Sequence, residues 1–137
     1  MAVTIRKVEY FKVLVPNQVG VGAKYFATLK AARVSLLAFT GFPRGGRAQL
    51  DFIPGNGAAF KKALRKAGVS PGRGKYAFLI QGTDRPGALA EVAAKLHLAR
   101  INITTLDAVA AGGGRFGAIL WVKPRDVAKT AKILRKR

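Results

Sequence analysis

The feature that most constrains this chain is that it contains the same pattern twice. Asn17-Gln18-Val19-Gly20 aligns with Asp84-Arg85-Pro86-Gly87 at an offset of 67. Ala32-Arg33-Val34-Ser35-Leu36 meets Ala99-Arg100-Ile101-Asn102-Ile103 at the same offset. Further on, Leu50 with Pro54 meets Leu120 with Pro124, and Leu64-Arg65-Lys66 meets Leu134-Arg135-Lys136, both at an offset of 70. The three extra residues fall in a Gly-rich connection, where a duplicated unit tolerates insertion. A chain of 137 residues then divides into residues 1–68 and 69–137, each a very small domain.

Both halves read strand, helix, strand, strand, helix. In the second half, Lys75 to Gln81 is aromatic and aliphatic and bounded by glycine, so a strand is expected. Gly82 to Gly87 has turn chemistry. Leu89, Val92, Ala93, Leu96 and Arg100 then step by three or four, which predicts a helix. Ile101 to Ala110 and Arg115 to Val122 are extended, joined by Gly112-Gly113-Gly114. Pro124 opens a second helix, with Asp126 near its start and Lys132, Arg135, Lys136 and Arg137 at its end, as the helix dipole favours. In the first half the strands are expected at 8–15, 34–40 and 47–53, and the helices at 22–32 and 58–67.

The order β-α-β-β-α points to an α+β, ferredoxin-like βαββαβ unit, with antiparallel sheets and helices on one face. A fourth strand is needed. In the first half the stretch from Val69 is a poor candidate, because Pro71, Gly72 and Gly74 interrupt it. In the second half nothing follows Arg137 in this sequence, and residues 2–6 are the natural source of the missing strand. That arrangement would pack the two repeats as one unit.

Composition narrows the chemistry. There is no cysteine, which removes disulfides, thiolate metal sites and cysteine nucleophiles. One histidine, His97, excludes an imidazole cluster, and it has no carboxylate or hydroxyl at helical spacing to orient it. The six acidic residues form no obvious pair. An enzyme is not expected, nor a metal or other cofactor. The N-terminus lacks an apolar leader, and no stretch reaches the ~20 apolar residues of a membrane span, so a cytoplasmic protein without a membrane partner is expected.

Twenty-five Lys and Arg against six Asp and Glu give a net charge of +19. Residues 1–68 hold 12 basic and 2 acidic residues, and 69–137 hold 13 and 4. Such a charge attracts anions over long range, nucleic acid among them, without choosing a partner. Arg44-Gly45-Gly46-Arg47 and Pro71-Gly72-Arg73-Gly74-Lys75 read more simply as a hairpin and a linker than as phosphate contacts. Gly55-Asn56-Gly57 with Lys61-Lys62 matches no phosphate-binding loop and reads as a helix start. Tyr76 and Phe78 are the nearest candidates for base stacking, yet the RNA-recognition string is missing.

The turn at 84–87 is the richest local signal. Pro86 presets φ, and Gly87 permits a close backbone or ligand approach. Free amides at a helix start favour a carboxylate. Asp84 can either cap that helix or face an ammonium group. Asn102, expected on a neighbouring strand, is a residue that strands disfavour.

Residues 78–106, FLIQGTDRPGALAEVAAKLHLARINITTL, resemble the opening of an ACT domain: strand, D-x-P-G-x-L turn, amphipathic helix and an I-N-I strand. ACT domains are ferredoxin-like modules that bind small ligands, most often amino acids, and regulate metabolic enzymes. The resemblance is strong in the second half and reaches the first through the repeat. It implies a non-catalytic regulatory or sensor protein of two ACT-like repeats, acting on a separate target enzyme. It implies a ligand site of Asp84, Gly87 and Asn102, with Arg85 at the rim and Ala88 and Leu89 continuing the turn. A second, degenerate site would hold Asn17, Gly20 and Ser35. Such sites usually lie where two domains meet, which implies a homodimer. The alternative is a basic nucleic-acid-binding protein on the same scaffold.

Overall fold

The computed structural model describes residues 3–135. Ala2, Lys136 and Arg137, expected in the N-terminal strand and the last helical turn, lie outside them. The elements run β1 (Val3–Pro16), α1 (Val21–Ala31), β2 (Leu36–Arg44), β3 (Arg47–Pro54), α2 (Gly57–Lys66), β4 (Lys75–Thr83), α3 (Ala90–Leu98), β5 (Ile103–Gly112), β6 (Arg115–Val122) and α4 (Val127–Arg135). A short 3₁₀ turn over Pro124–Asp126 precedes α4. The architecture is α+β with antiparallel ladders, β-α-β-β-α in each repeat. No helix among the described residues is long and apolar enough to cross a membrane.

The chain forms two compact units. One combines residues 3–8 with 76–135, and the other is residues 9–75. The boundary expected at 68/69 thus falls at 75/76. Val69 holds the connecting stretch to the earlier repeat: its amide donates to Leu64 O at 2.9 Å and its side chain packs on that unit's core. Strands were expected over 2–6 and 8–15; β1 is instead one 14-residue strand, whose first residues belong to one unit and whose later residues belong to the other.

In the first unit the strand order is β1-β4-β6-β5. Alternation along RFGAILWV sends Phe116, Ala118, Leu120 and Val122 into one buried cluster with Val92 and Leu96 of α3 and Leu134 of α4. Val3 and Ile5 pack on this cluster, and Thr4 Oγ1 donates to Gln81 O at 3.4 Å.

In the second unit the order is β2-β3-β1. Phe11, Val13 and Val15 of β1 and Leu50 and Phe52 of β3 share a core with Leu29 of α1 and Phe60, Ala63 and Leu64 of α2. Stacking of Phe11 on Phe60, with centroids 5.0 Å apart, sits at its centre. Asn56 caps α2 by accepting from Ala59 N at 3.0 Å. Residues 69–74 form no strand, as Pro71 and the flanking glycines predict.

Two hairpins are equivalent. Arg44 pairs with Arg47 and Gly112 with Arg115, leaving the two-residue loops Gly45-Gly46 and Gly113-Gly114. All four loop residues have positive φ, 54° and 78° in one and 62° and 72° in the other, the conformation of a tight I′ turn. The Arg/Gly string at 44–47 is therefore a hairpin.

Candidate ligand site

The turn between β4 and α3 is tied to the β5–β6 hairpin, since Asp84 N donates to Gly114 O at 2.9 Å. It then folds on itself: Ala88 N donates to Arg85 O at 3.1 Å and Ala90 N to Gly87 O at 2.9 Å. Pro86 through Leu89 form turn rather than helix, and α3 opens at Ala90 with Leu89 as its N-cap and no side-chain cap. Asp84 stands five residues before that N-cap and does not cap α3, which removes one of its two sequence readings.

Gly87 has φ of 74°, and a Cβ built there meets only Ala90 Cβ at 3.9 Å. Backbone conformation, rather than close approach of another group, is what requires glycine at this position. Asp84, Arg85 and Gly87 are exposed, while Ala88 and Leu89 are half-buried.

These five residues share one open depression of about 370 Å³. Its other wall comes from Ala108, Val109 and Ala110 of β5, with Phe116 of β6 at its base. Pairing of Ala110 with Phe116 across the hairpin brings that wall to the turn. Sequence reasoning missed this contribution: alanines in a strand carry no polar signal, and only the hairpin register locates them. The rim therefore offers a carboxylate beside a guanidinium above an apolar floor. That pairing suits a small zwitterion, with Asp84 facing an ammonium and Arg85 a carboxylate.

Asn102 is not part of this depression. It lies before β5 rather than on a strand, and it is exposed. The reason is topological. Asp84 precedes α3 and Asn102 follows it, so nine helical residues, roughly 13 Å of rise, carry the chain to the far end of the unit. The expectation that Asn102 sits next to the turn is thus corrected.

The first repeat shows the same separation. Gly20 is the N-cap of α1 with φ of 91°, and Asn17 is exposed in the turn before it. Ser35 lies beyond the far end of α1, where its carbonyl accepts from Gly55 N at 3.0 Å. Gly20 and Ser35 therefore stand at opposite ends of α1.

Among the described residues no three His, Asp or Glu side chains are grouped to hold a metal.

Crystal structures with this fold are known. The chain superposes on protein BT0572 from Bacteroides thetaiotaomicron with a TM-score of 0.80, at 18% identity over 96% of this chain and 88% of that one. The regulatory subunit of aspartate kinase from Thermus thermophilus, in its ligand-free form, gives a TM-score of 0.64 at 16% identity, covering 98% of this chain and 95% of that one. The corresponding subunit from Thermus flavus gives 0.61 at 17% identity, covering 98% and 95%. No family model matches the sequence, and no curated protein matches it either.

Proposed function

From the tandem ACT-type fold that the chain shares with these structures, we propose that it is a non-catalytic sensor of an amino acid or similar small metabolite, regulating a separate target protein. The observation that carries this reading is the depression at the β4–α3 turn, where Asp84 and Arg85 stand over an apolar floor. A volume of about 370 Å³ lies at the small end of ligand pockets, in keeping with an amino acid rather than a nucleotide. That one of these folds is an aspartate kinase regulatory subunit supports a regulatory role.

The site is open on one side, and a homodimer formed along the edge strand β5 would close it. Ala108, Val109 and Ala110 belong to that edge and to the depression alike.

The test is thermal unfolding in the presence of each of the twenty amino acids. A bound ligand stabilises by RT ln(1 + [L]/Kd), about 2.7 kcal/mol at a hundredfold excess over Kd. At least one amino acid is expected to raise the wild-type Tm. Asp84→Ala is the informative variant, because Asp84 caps no helix and its loss leaves folding intact. It should melt like the wild type alone and lose the ligand-induced shift. If no amino acid at millimolar concentration moves the wild-type Tm, the amino-acid reading falls.

A further inference from the structure

We propose that the groove between α1 and α2 binds a small aliphatic monocarboxylate, with its head group on Lys24. This groove is separate from the depression at the β4–α3 turn, and it lies wholly within the unit of residues 9–75.

One wall is a single face of α1. Val21, Lys24, Tyr25 and Thr28 fall at i, i+3, i+4 and i+7. Leu64 and Ala67, from the end of α2, stand opposite, with Val15 and Val69 closing the groove. Its volume is about 290 Å³, and most of the lining is apolar. Tyr25 is held by its ring against Phe52, with centroids 5.8 Å apart. The Thr28 hydroxyl is already spent on Lys24 O at 3.0 Å.

Lys24 is the one charged residue on the lining. The unit of residues 9–75 has only two carboxylates, Glu9 and Asp51. Asp51 is buried and takes two contacts of 3.1 Å from Gln49 Nε2. Glu9 lies against Gly57 and Gly74. Neither lines the groove, so no carboxylate of this unit stands beside the exposed Lys24 there. The helix adds to the attraction, since α1 has no acidic residue in its first turn and no side-chain cap.

These features select the ligand class. An apolar groove with one cation and no anion suits an aliphatic chain ending in a carboxylate. A zwitterionic amino acid is disfavoured, because its ammonium would enter an apolar site with no partner. The matching face of the other repeat carries both charges, with Lys95 where Thr28 stands. The offset of 67 places Glu91 where Lys24 stands and Val92 where Tyr25 stands. The groove chemistry therefore belongs to one repeat only.

The experiment is a titration of the ¹⁵N-labelled chain with hexanoate, hexan-1-ol, hexylamine and norleucine, followed by amide chemical shifts. Hexanoate is expected to move the amides of α1 and the end of α2, with a Kd in the millimolar range or tighter. Lys24→Met should weaken hexanoate about tenfold, the worth of one charge-assisted contact, while Lys24→Arg retains it. Hexan-1-ol should bind more weakly than hexanoate, and hexylamine and norleucine should leave these amides unmoved. Asp84→Ala should not change the hexanoate titration, which separates this groove from the amino-acid site. No shift with hexanoate, shifts confined to other elements, or equal affinity in Lys24→Met would each overturn the proposal.

Discussion

Arg33 and Arg100 adopt the same backbone conformation: φ is 58° at both, and they are the two non-glycine residues with positive φ among those described. Each follows a helix end. Arg33 N donates to Lys30 O and Val34 N to Leu29 O, at 3.0 and 2.9 Å; Arg100 N and Ile101 N make the same bonds to His97 O and Leu96 O at the same lengths. The repeat is thus preserved both in these hydrogen bonds and in the residues that make them, Leu29 with Leu96 and Arg33 with Arg100. Glycine is the residue such a left-handed helix end favours. Arg33→Gly and Arg100→Gly should each stabilise the protein by about 0.5–1 kcal/mol, the left-handed strain less the added freedom of the unfolded chain. Urea unfolding of the two variants measures this, and a loss of stability in both would contradict it.

A second energetic prediction concerns Thr130. Its side chain is fully buried in α4, and its Oγ1 has no hydrogen-bond partner among the described residues. A buried unsatisfied hydroxyl costs about 1–3 kcal/mol, and valine has nearly the same shape without it. Thr130→Val should therefore raise stability by about 1 kcal/mol. A Tm below that of the wild type would show that the hydroxyl has a partner in solution.

Asp51 gives a pH dependence. Burial raises its carboxyl above the ordinary carboxylate value, outweighing the hydrogen bond from Gln49 and the charges of Lys12, Lys75 and Arg44, which lower it. The unfolded chain releases this proton at a lower pH than the folded one. The contribution to stability is full below the usual carboxylate pKa of ~3.9 and declines as pH rises through the folded value. Asp51→Asn stays neutral throughout. Its stability relative to wild type should be greater at neutral pH than in acid, as chemical denaturation at both pH values will read. A difference that is flat with pH, or reversed, counts against the buried carboxyl.

The edge strand β5 bears on assembly. Every residue of it after Ile103 is exposed, with Leu106 at 37% and Val109 at 67%. A long exposed apolar edge invites pairing with a second strand. The chain is expected to be a homodimer by light scattering, and Val109→Lys should shift it towards the monomer without unfolding it. A monomeric wild type at high concentration would refute this.

The charge has its own test. At +19 the protein should bind DNA or RNA at low salt, through counterion release and without sequence preference. Binding should fade steeply with added salt and be weaker than ~10⁻⁶ M at physiological ionic strength. Sub-micromolar affinity that survives there would favour the nucleic-acid reading over the sensor reading.

Much of this architecture was legible in the linear pattern. The extended stretch at 115–122 became β6 without adjustment, and the glycine pairs became hairpins, because both are local properties of a few residues. The helices were placed to within two or three residues. Their ends shifted because a left-handed cap at Arg33 and Arg100 consumes the residues that had been read as the first of the next strand.

What only the tertiary structure decided is which residues meet. The spacing of Asp84 and Asn102 in the sequence holds no direction, and α3 carries them to opposite ends of their unit. Ala108 to Ala110 reach the turn through hairpin register, and Lys24 faces Leu64 through helix packing. The sequence by itself determined the duplication, the element order and the turns, since each depends on neighbours along the chain. The composition of the two cavities depends on contacts between residues distant in sequence, which no local period encodes.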